Sequence, residues 1–212
     1  MSHIRLLLLV LLGFFPAMAA GQSMPAQADW LEQVRLGGYV IVVRHGATTS
    51  DPKTDPMSSP AKQGAAAGER QLSDPGRAQA RAVGEAMRRL KIPVGLVLTS
   101  PLQRAVDTGT LLGFGEVTVK PELAEAGSAV PAEENQRRAD ALRQLVAIHP
   151  PADNNLVIVT HKPNLIEAFG RDWSDVREGE ASVFEPDPAG GGYKLVLRIR
   201  AEEWSALLQA TH

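Results

Sequence analysis

Two histidines in this sequence each follow an apolar run, and each has neighbours suited to binding an anion. His45 comes after the apolar residues 39–43 and directly after Arg44, and His161 comes shortly after the apolar residues 156–159. The planar guanidinium of arginine binds phosphoryl oxygens through paired hydrogen bonds, and a neutral imidazole can attack phosphorus and form a covalent intermediate. Because nearby positive charge disfavours imidazolium, the arginine favours the neutral ring. These residue types predict a site for phosphoryl chemistry.

A further segment brings a second arginine to the same chemistry. Ser100 and Pro101 are typical of a helix start, and the helix predicted over residues 101–112 carries Arg104 in its first turn, where a helix N-terminus attracts anions.

The rival hypothesis is a metal site, since two histidines and an acid can bind zinc. Two arginines beside them would repel a dication, so we predict no metal. We also predict no cofactor.

The elements that must position these residues alternate between strands and helices. Continuous apolar runs predict buried strands, and apolar residues at helical spacing predict amphipathic helices. The strands are expected at residues 39–43, 94–99, 117–119, 156–160, 181–184 and 193–199. The helices are expected after Asp29, after Ser73, over 101–112, over 132–148, over 163–169 and around Trp204. This alternation predicts an α/β fold: a single three-layer domain with a mainly parallel central sheet and helices on both faces. Ligands bind at the carboxyl edge of such sheets, where both histidines would lie.

The N-terminus has a different composition from the rest of the chain. His3 and Arg5 precede the apolar residues 6–15, and Ala17-Met18-Ala19 follows. This pattern predicts a signal peptide over residues 1–20, an exported protein that is periplasmic or secreted, and a domain over residues 21–212 that does not contact the membrane after cleavage. An uncleaved membrane anchor is the alternative. The chain has no cysteine, and its net charge of −2 gives no indication of a nucleic-acid partner.

Four segments, taken together, resemble the histidine phosphatase superfamily, which has the phosphoglycerate mutase-like fold. These segments, which occur in the family's order, are Val43-Arg44-His45-Gly46, residues 72–80 (LSDPGRAQA), residues 100–108 (SPLQRAVDT) and Val159-Thr160-His161. The resemblance extends from Val40 to about Gly170. It is closest to the branch typified by phosphoglycerate mutase. Because the predicted export argues against a glycolytic mutase, whose substrates are cytoplasmic, we predict an exported phosphomonoester hydrolase.

The resemblance also implies a role for each matching residue. His45 would be the nucleophile, and Arg44, Arg104 and His161 would bind the phosphoryl group, with His161 also acting in catalysis. The proton donor would be a glutamate after the third strand, and Leu123-Ala124-Glu125 fits this pattern better than Glu122, although both remain candidates. The acid-phosphatase and phytase branch places an aspartate after the second histidine, whereas this chain has Lys162.

Two departures from the family pattern bear on the substrate. Ala47 replaces the usual glutamate after Arg-His-Gly, and residues 49–71 form a longer loop than in compact mutases. The expected partner is a small phosphorylated substrate or a phosphate anion, with the oligomeric state left open. A phosphate-binding module without turnover and a phosphohistidine phosphatase or phosphotransfer enzyme are the alternatives. Further predicted substrate contacts are Thr48, Arg70, Glu122 and Lys162.

Overall fold

The computed structural model of the protein describes residues 26–49, 69–151, 153–187, 189 and 191–210. The predicted signal peptide and residues 50–68 of the predicted loop lie outside these residues. The helices are α1 (Ala26–Leu36), α2 (Asp74–Arg89), α3 (Gln103–Leu112), α4 (Ala132–Ala147), α5 (Lys162–Phe169) and α6 (Glu203–Ala210), and short 3-10 helices lie at Pro121–Leu123 and Arg171–Trp173. The strands are β1 (Val40–Arg44), β2 (Val94–Thr99), β3 (Val117–Val119), β4 (Asn155–Thr160), β5 (Ala181–Pro186) and β6 (Tyr193–Ile199).

In the part of the chain that the structure describes, the strands form one six-stranded sheet in the order β3-β2-β4-β1-β5-β6. The first four strands of this order pair in parallel, and β5 and β6 extend the sheet as antiparallel strands. The expected mainly parallel sheet is therefore confirmed, with an antiparallel edge. Because β1 and β4 are neighbours, with Arg44 opposite Thr160, the residues that follow both strands meet at one edge of the sheet.

Helices cover both faces of the sheet, which confirms the predicted three-layer arrangement. The buried side chains of β1 alternate, so that Ile41 and Val43 face one core and Val40 and Val42 face the other. The first core also contains buried residues of α1, α2, α3 and α6, and the second contains buried residues of α4 and α5. No helix among the described residues is both long enough and apolar enough to cross a membrane.

Two helix starts differ from the sequence-based expectation. Helix α1 already includes Ala26, the first residue that the structure describes, so the helix is present upstream of Asp29. Helix α3 begins at Gln103, and Leu102, not Ser100, is its N-cap residue. Ser100 is completely buried, and its hydroxyl binds elsewhere, as described below.

Candidate active site

The two histidines lie side by side at the carboxyl ends of β1 and β4. Their ring centroids are 5.2 Å apart and the rings are tilted by 56°. His45 is 1% exposed and His161 is 0% exposed. The backbone fixes this arrangement, since the His45 N–H donates to the carbonyl of Thr160 at 3.0 Å, and the Gly179 N–H donates to the carbonyls of both Arg44 and His45 at 3.0 Å.

The ring of His45 is oriented by its own backbone turn. Its Nδ1 lies 2.8 Å from the carbonyl oxygen of Gly46. Because a carbonyl can only accept, Nδ1 carries the hydrogen, and the lone pair of the neutral ring is on Nε2. Burial lowers the pKa of His45 to about 3; the hydrogen bond to Gly46 opposes this shift, and the positive charges of Arg104, Arg44 and Arg70 add to it. The ring is therefore neutral at physiological pH, and Nε2 carries a lone pair that no hydrogen bond from the described residues engages.

The ring of His161 contacts a serine on one side and a glutamate on the other. Its Nε2 is 2.7 Å from Ser100 Oγ, and its Nδ1 is 3.8 Å from Glu125 Oε1. The pKa of His161 is well below its ordinary value, first because of burial and then because of the charge of Arg104. Since Ser100 Oγ also accepts from the Leu102 N–H at 3.3 Å, its own hydrogen can be donated to Nε2. When Ser100 donates to Nε2, the ring hydrogen is on Nδ1, on the side that faces Glu125.

Arg44 is held by the segment that precedes β5. Its Nη1 donates to the carbonyl of Val176 at 2.7 Å, and its Nη2 lies 3.5 Å from Glu178 Oε1. The same Glu178 oxygen accepts from the hydroxyl of Thr48 at 3.1 Å. Burial lowers the pKa of Arg44, and the charge of Glu178 opposes that shift.

Arg104 is almost fully buried, with a side chain that is 3% exposed, and carboxylates lie at both ends of its guanidinium. Nη2 donates to Glu125 Oε2 at 2.6 Å, and Nη1 is 3.6 Å from Glu69 Oε1. The backbone of α3 is tied to the histidine turn through Thr108, whose hydroxyl donates to the Arg104 carbonyl at 2.7 Å and accepts from the Gly46 N–H at 3.0 Å.

A cavity of about 330 Å³ opens beside these residues. Its walls come from the histidine turn, the end of the predicted loop, the segment after β3, and α5. The lining residues are Arg44, His45, Arg70, Glu125, Lys162, Pro163, Ile166 and Glu167.

The structure thus brings most of the predicted site residues together. Two of the predicted substrate contacts, Arg70 and Lys162, line the cavity. The two others do not: Glu122 lies in the 3-10 helix after β3, and Thr48 binds Glu178 beside Arg44. Of the two candidate proton donors, only Glu125 lies at the cavity.

Three residues of the site were not predicted from the sequence to contact it. Ser100 was expected to cap α3, and it instead contacts His161. Glu69 binds Arg104 and Glu178 binds Arg44, and neither has a local sequence pattern that indicates this role. The only signal for Glu69 was its position next to Arg70.

A family model identifies part of the chain. The model for the histidine phosphatase superfamily (branch 1) matches residues 40–131. These residues, which make up less than half of the chain, are similar to that superfamily. The matched region contains Arg44, His45, Arg104 and Glu125, whereas His161 lies beyond it. The recognition made from the four sequence segments is therefore confirmed. No curated protein matches the sequence significantly.

Solved structures share the histidine phosphatase fold at low sequence identity. The protein histidine phosphatase SixA, complexed with tungstate, is 16% identical with a TM-score of 0.52, and the match covers 78% of this chain and 98% of that one. A mycobacterial glucosyl-3-phosphoglycerate phosphatase, complexed with VO3, is 20% identical with a TM-score of 0.50, covering 75% and 97%. A phosphoserine phosphatase from Entamoeba histolytica, in complex with 3-phosphoglyceric acid, is 15% identical with a TM-score of 0.52, covering 76% and 95%.

Proposed function

We propose that the protein is an exported phosphomonoester hydrolase that forms a phosphohistidine intermediate on His45. The observation that carries this proposal is the neutral, buried His45 ring, whose Nδ1 is held by Gly46 while Nε2 has a free lone pair beside two arginines. The names of three solved structures of the same fold, all phosphatases, support the reaction class.

In the first half of the reaction, Nε2 of His45 attacks phosphorus, a P–N bond forms, and the P–O bond to the leaving group breaks. Arg44, Arg104 and Arg70 neutralise the charge on the phosphoryl oxygens, and His161 donates a hydrogen bond from Nδ1. Glu125 takes up a proton from solvent once the phosphoryl group has displaced its carboxylate from Arg104, and it gives this proton to the leaving oxygen so that an alcohol departs.

In the second half, water attacks the phosphohistidine and the P–N bond breaks. Glu125, now a carboxylate, accepts a proton from this water, which releases inorganic phosphate and returns His45 to its neutral form. The position of Glu125 at the cavity suits both transfers.

Glu125 has to change partner when the phosphoryl group binds. Its carboxylate now accepts from Arg104 Nη2 at 2.6 Å and lies 3.8 Å from His161 Nδ1, and these are the donors that we assign to phosphoryl oxygens. A phosphoryl oxygen that replaces the carboxylate on Arg104 frees Glu125 to reach the leaving oxygen. Its side chain is 33% exposed, which gives it room to move.

The experiment uses purified protein and a panel of aryl, alkyl, sugar and amino-acid phosphates together with phosphohistidine. Rapid acid-free quenching should trap one acid-labile phosphate per chain, and His45→Ala should abolish both this burst and turnover. His149→Ala is the matched control, because His149 is an exposed histidine outside the site. If His45→Ala kept wild-type turnover, the assignment of His45 as the nucleophile would be wrong. If the protein bound vanadate but hydrolysed no substrate, it would instead be a phosphate-binding module.

Export rests on the signal-like residues 1–20 and is tested separately. The full chain should appear in the periplasm or medium of a bacterial host, with a mature N-terminus after the Ala17-Met18-Ala19 site. A cytoplasmic protein that still begins at residue 1 or 2 would contradict export.

A further inference from the structure

Glu69 is a second carboxylate on the arginine assigned to phosphoryl binding, and it is held more firmly than the first. Its Oε1 accepts from the backbone N–H of Gln103 at 2.6 Å and lies 3.6 Å from Arg104 Nη1. Its side chain is 13% exposed, against 33% for Glu125. The backbone carbonyl of Glu69 also accepts from Gln71 Nε2 at 3.0 Å.

The hydrogen bond to Gln103 supplies a cap that α3 lacks locally. Leu102, the N-cap residue, has no side-chain oxygen, and no side-chain hydrogen bond caps this helix from that position. The first N–H groups of a helix need acceptors, and a carboxylate is favoured there by the helix dipole. Glu69 provides this acceptor from 34 residues earlier in the chain. A protein carboxylate thus takes the place at the α3 N-terminus where the sequence suggested a substrate anion.

The two carboxylates on Arg104 differ in what happens to them during the proposed reaction. Glu125 holds Nη2 and must leave it when a phosphoryl oxygen binds there. Glu69 holds Nη1 from a buried position with a backbone anchor, so it can stay while the substrate is bound. During the chemical step, Glu69 is then the remaining ion-pair partner of the Arg104 guanidinium among the described residues.

We propose that Glu69 is a positioning residue that fixes the Arg104 guanidinium for the transition state and, through the next residue, holds Arg70 at the cavity wall. This inference rests on the proposed function. Electrostatic binding of the substrate anion tolerates a displaced arginine. Stabilisation of the transition state does not tolerate it, since a misplacement of about 1 Å can cost about 10²-fold in rate. The effect of losing Glu69 should therefore fall on kcat rather than on KM.

The test compares Glu69→Gln with a matched control, Asp107→Asn. The amide oxygen of the substituted side chain can still accept from the Gln103 N–H, so the helix cap persists while the negative charge beside Arg104 Nη1 is lost. Asp107 is a comparably buried carboxylate of α3, 14% exposed, which pairs with Arg77 at 2.8 Å rather than with Arg104. Glu69→Gln should lower kcat about tenfold with KM changed less than about threefold, and Asp107→Asn should leave kcat within about twofold of wild type.

The outcomes separate this inference from the proposed function. If the wild type hydrolyses phosphoesters and Glu69→Gln keeps its kcat within about twofold, or if Asp107→Asn lowers kcat equally, Glu69 does not position Arg104. If the wild type hydrolyses no phosphoester, the proposed function fails. The affinity for vanadate then tests the positioning role of Glu69 on its own. A roughly tenfold weaker affinity in Glu69→Gln, with inorganic phosphate affinity little changed, would support the positioning role, and unchanged vanadate affinity would overturn it.

Discussion

Acidification from pH 6.5 to pH 4.5 should destabilise the folded protein through His45. This ring is 1% exposed and is held in its neutral form, with a pKa lowered from 6.5 to about 3, mainly by burial. In the unfolded chain the same ring takes up a proton near its ordinary pKa. Between these two pKa values the unfolded state binds more protons than the folded state, so stability falls as the pH falls.

The size of the effect follows from the two pKa values. The contribution of the neutral His45 ring to the free energy of unfolding is fully present above pH 6.5, and it is lost progressively as the pH drops from 6.5 towards 3. Integrating proton binding between pH 6.5 and pH 4.5 gives a loss of about 2 kcal/mol from this residue. His161 acts in the same direction, because burial also places its pKa well below the ordinary value.

Urea unfolding at several pH values measures this contribution. The wild type should lose about 2 kcal/mol more than His45→Asn between pH 6.5 and pH 4.5, since the variant has no ring to protonate. His149→Asn, which removes an exposed histidine, should follow the wild type. If His45→Asn lost as much stability on acidification as the wild type, the ring would not be held neutral by the fold, and the argument for a free Nε2 at low pH would be wrong.

Three further substitutions test the supports of the site. Glu180→Gln should lower the free energy of unfolding by about 2 kcal/mol in urea titrations, because Glu180 is a buried carboxylate that accepts from Arg198 Nε at 2.6 Å, while Arg198 keeps its pairing with Asp175. Gly76→Ala should lower both kcat and Tm, since the added Cβ would lie 2.0 Å from the carbonyl oxygen of Ala47, next to the histidine turn. Glu125→Gln should slow hydrolysis of alkyl phosphates more than that of p-nitrophenyl phosphate, whose leaving group needs no proton, and equal losses in kcat would contradict a proton-donor role.

The meeting of the two histidines could be predicted because its determinants are local. Strands β1 and β4 each contain an uninterrupted apolar run, at residues 40–43 and 156–159, as is typical of strands buried on both faces, and polar residues follow each run. In a parallel sheet the carboxyl ends of such strands share one edge. The sequence patterns around residues 45 and 161 therefore contained both the strands and the direction in which the rings emerge.

The partners of those residues could not be predicted because they come from distant parts of the chain. Ser100 contacts His161 across 61 positions, and Val176 accepts from Arg44 across 132. A serine before a proline favours an N-cap locally, but here the helix starts at Gln103 and the hydroxyl binds the buried imidazole instead. The pairing of β2 with β4 brings the two residues together, because Ser100 directly follows β2 and His161 directly follows β4.

The charges in the site explain how it can be buried and still bind a phosphoryl group. Arg44 and Arg104 each have a carboxylate within ion-pair distance, whereas Arg70 at the cavity has none among the described residues. Isolated buried charges are costly, so paired guanidiniums and neutral imidazoles are the forms that such a fold can keep. A phosphoryl group would then bind Arg104 by exchange, taking the place of the Glu125 carboxylate rather than meeting an unpaired cation. This exchange would couple binding of the anion to release of the residue proposed to protonate its leaving group.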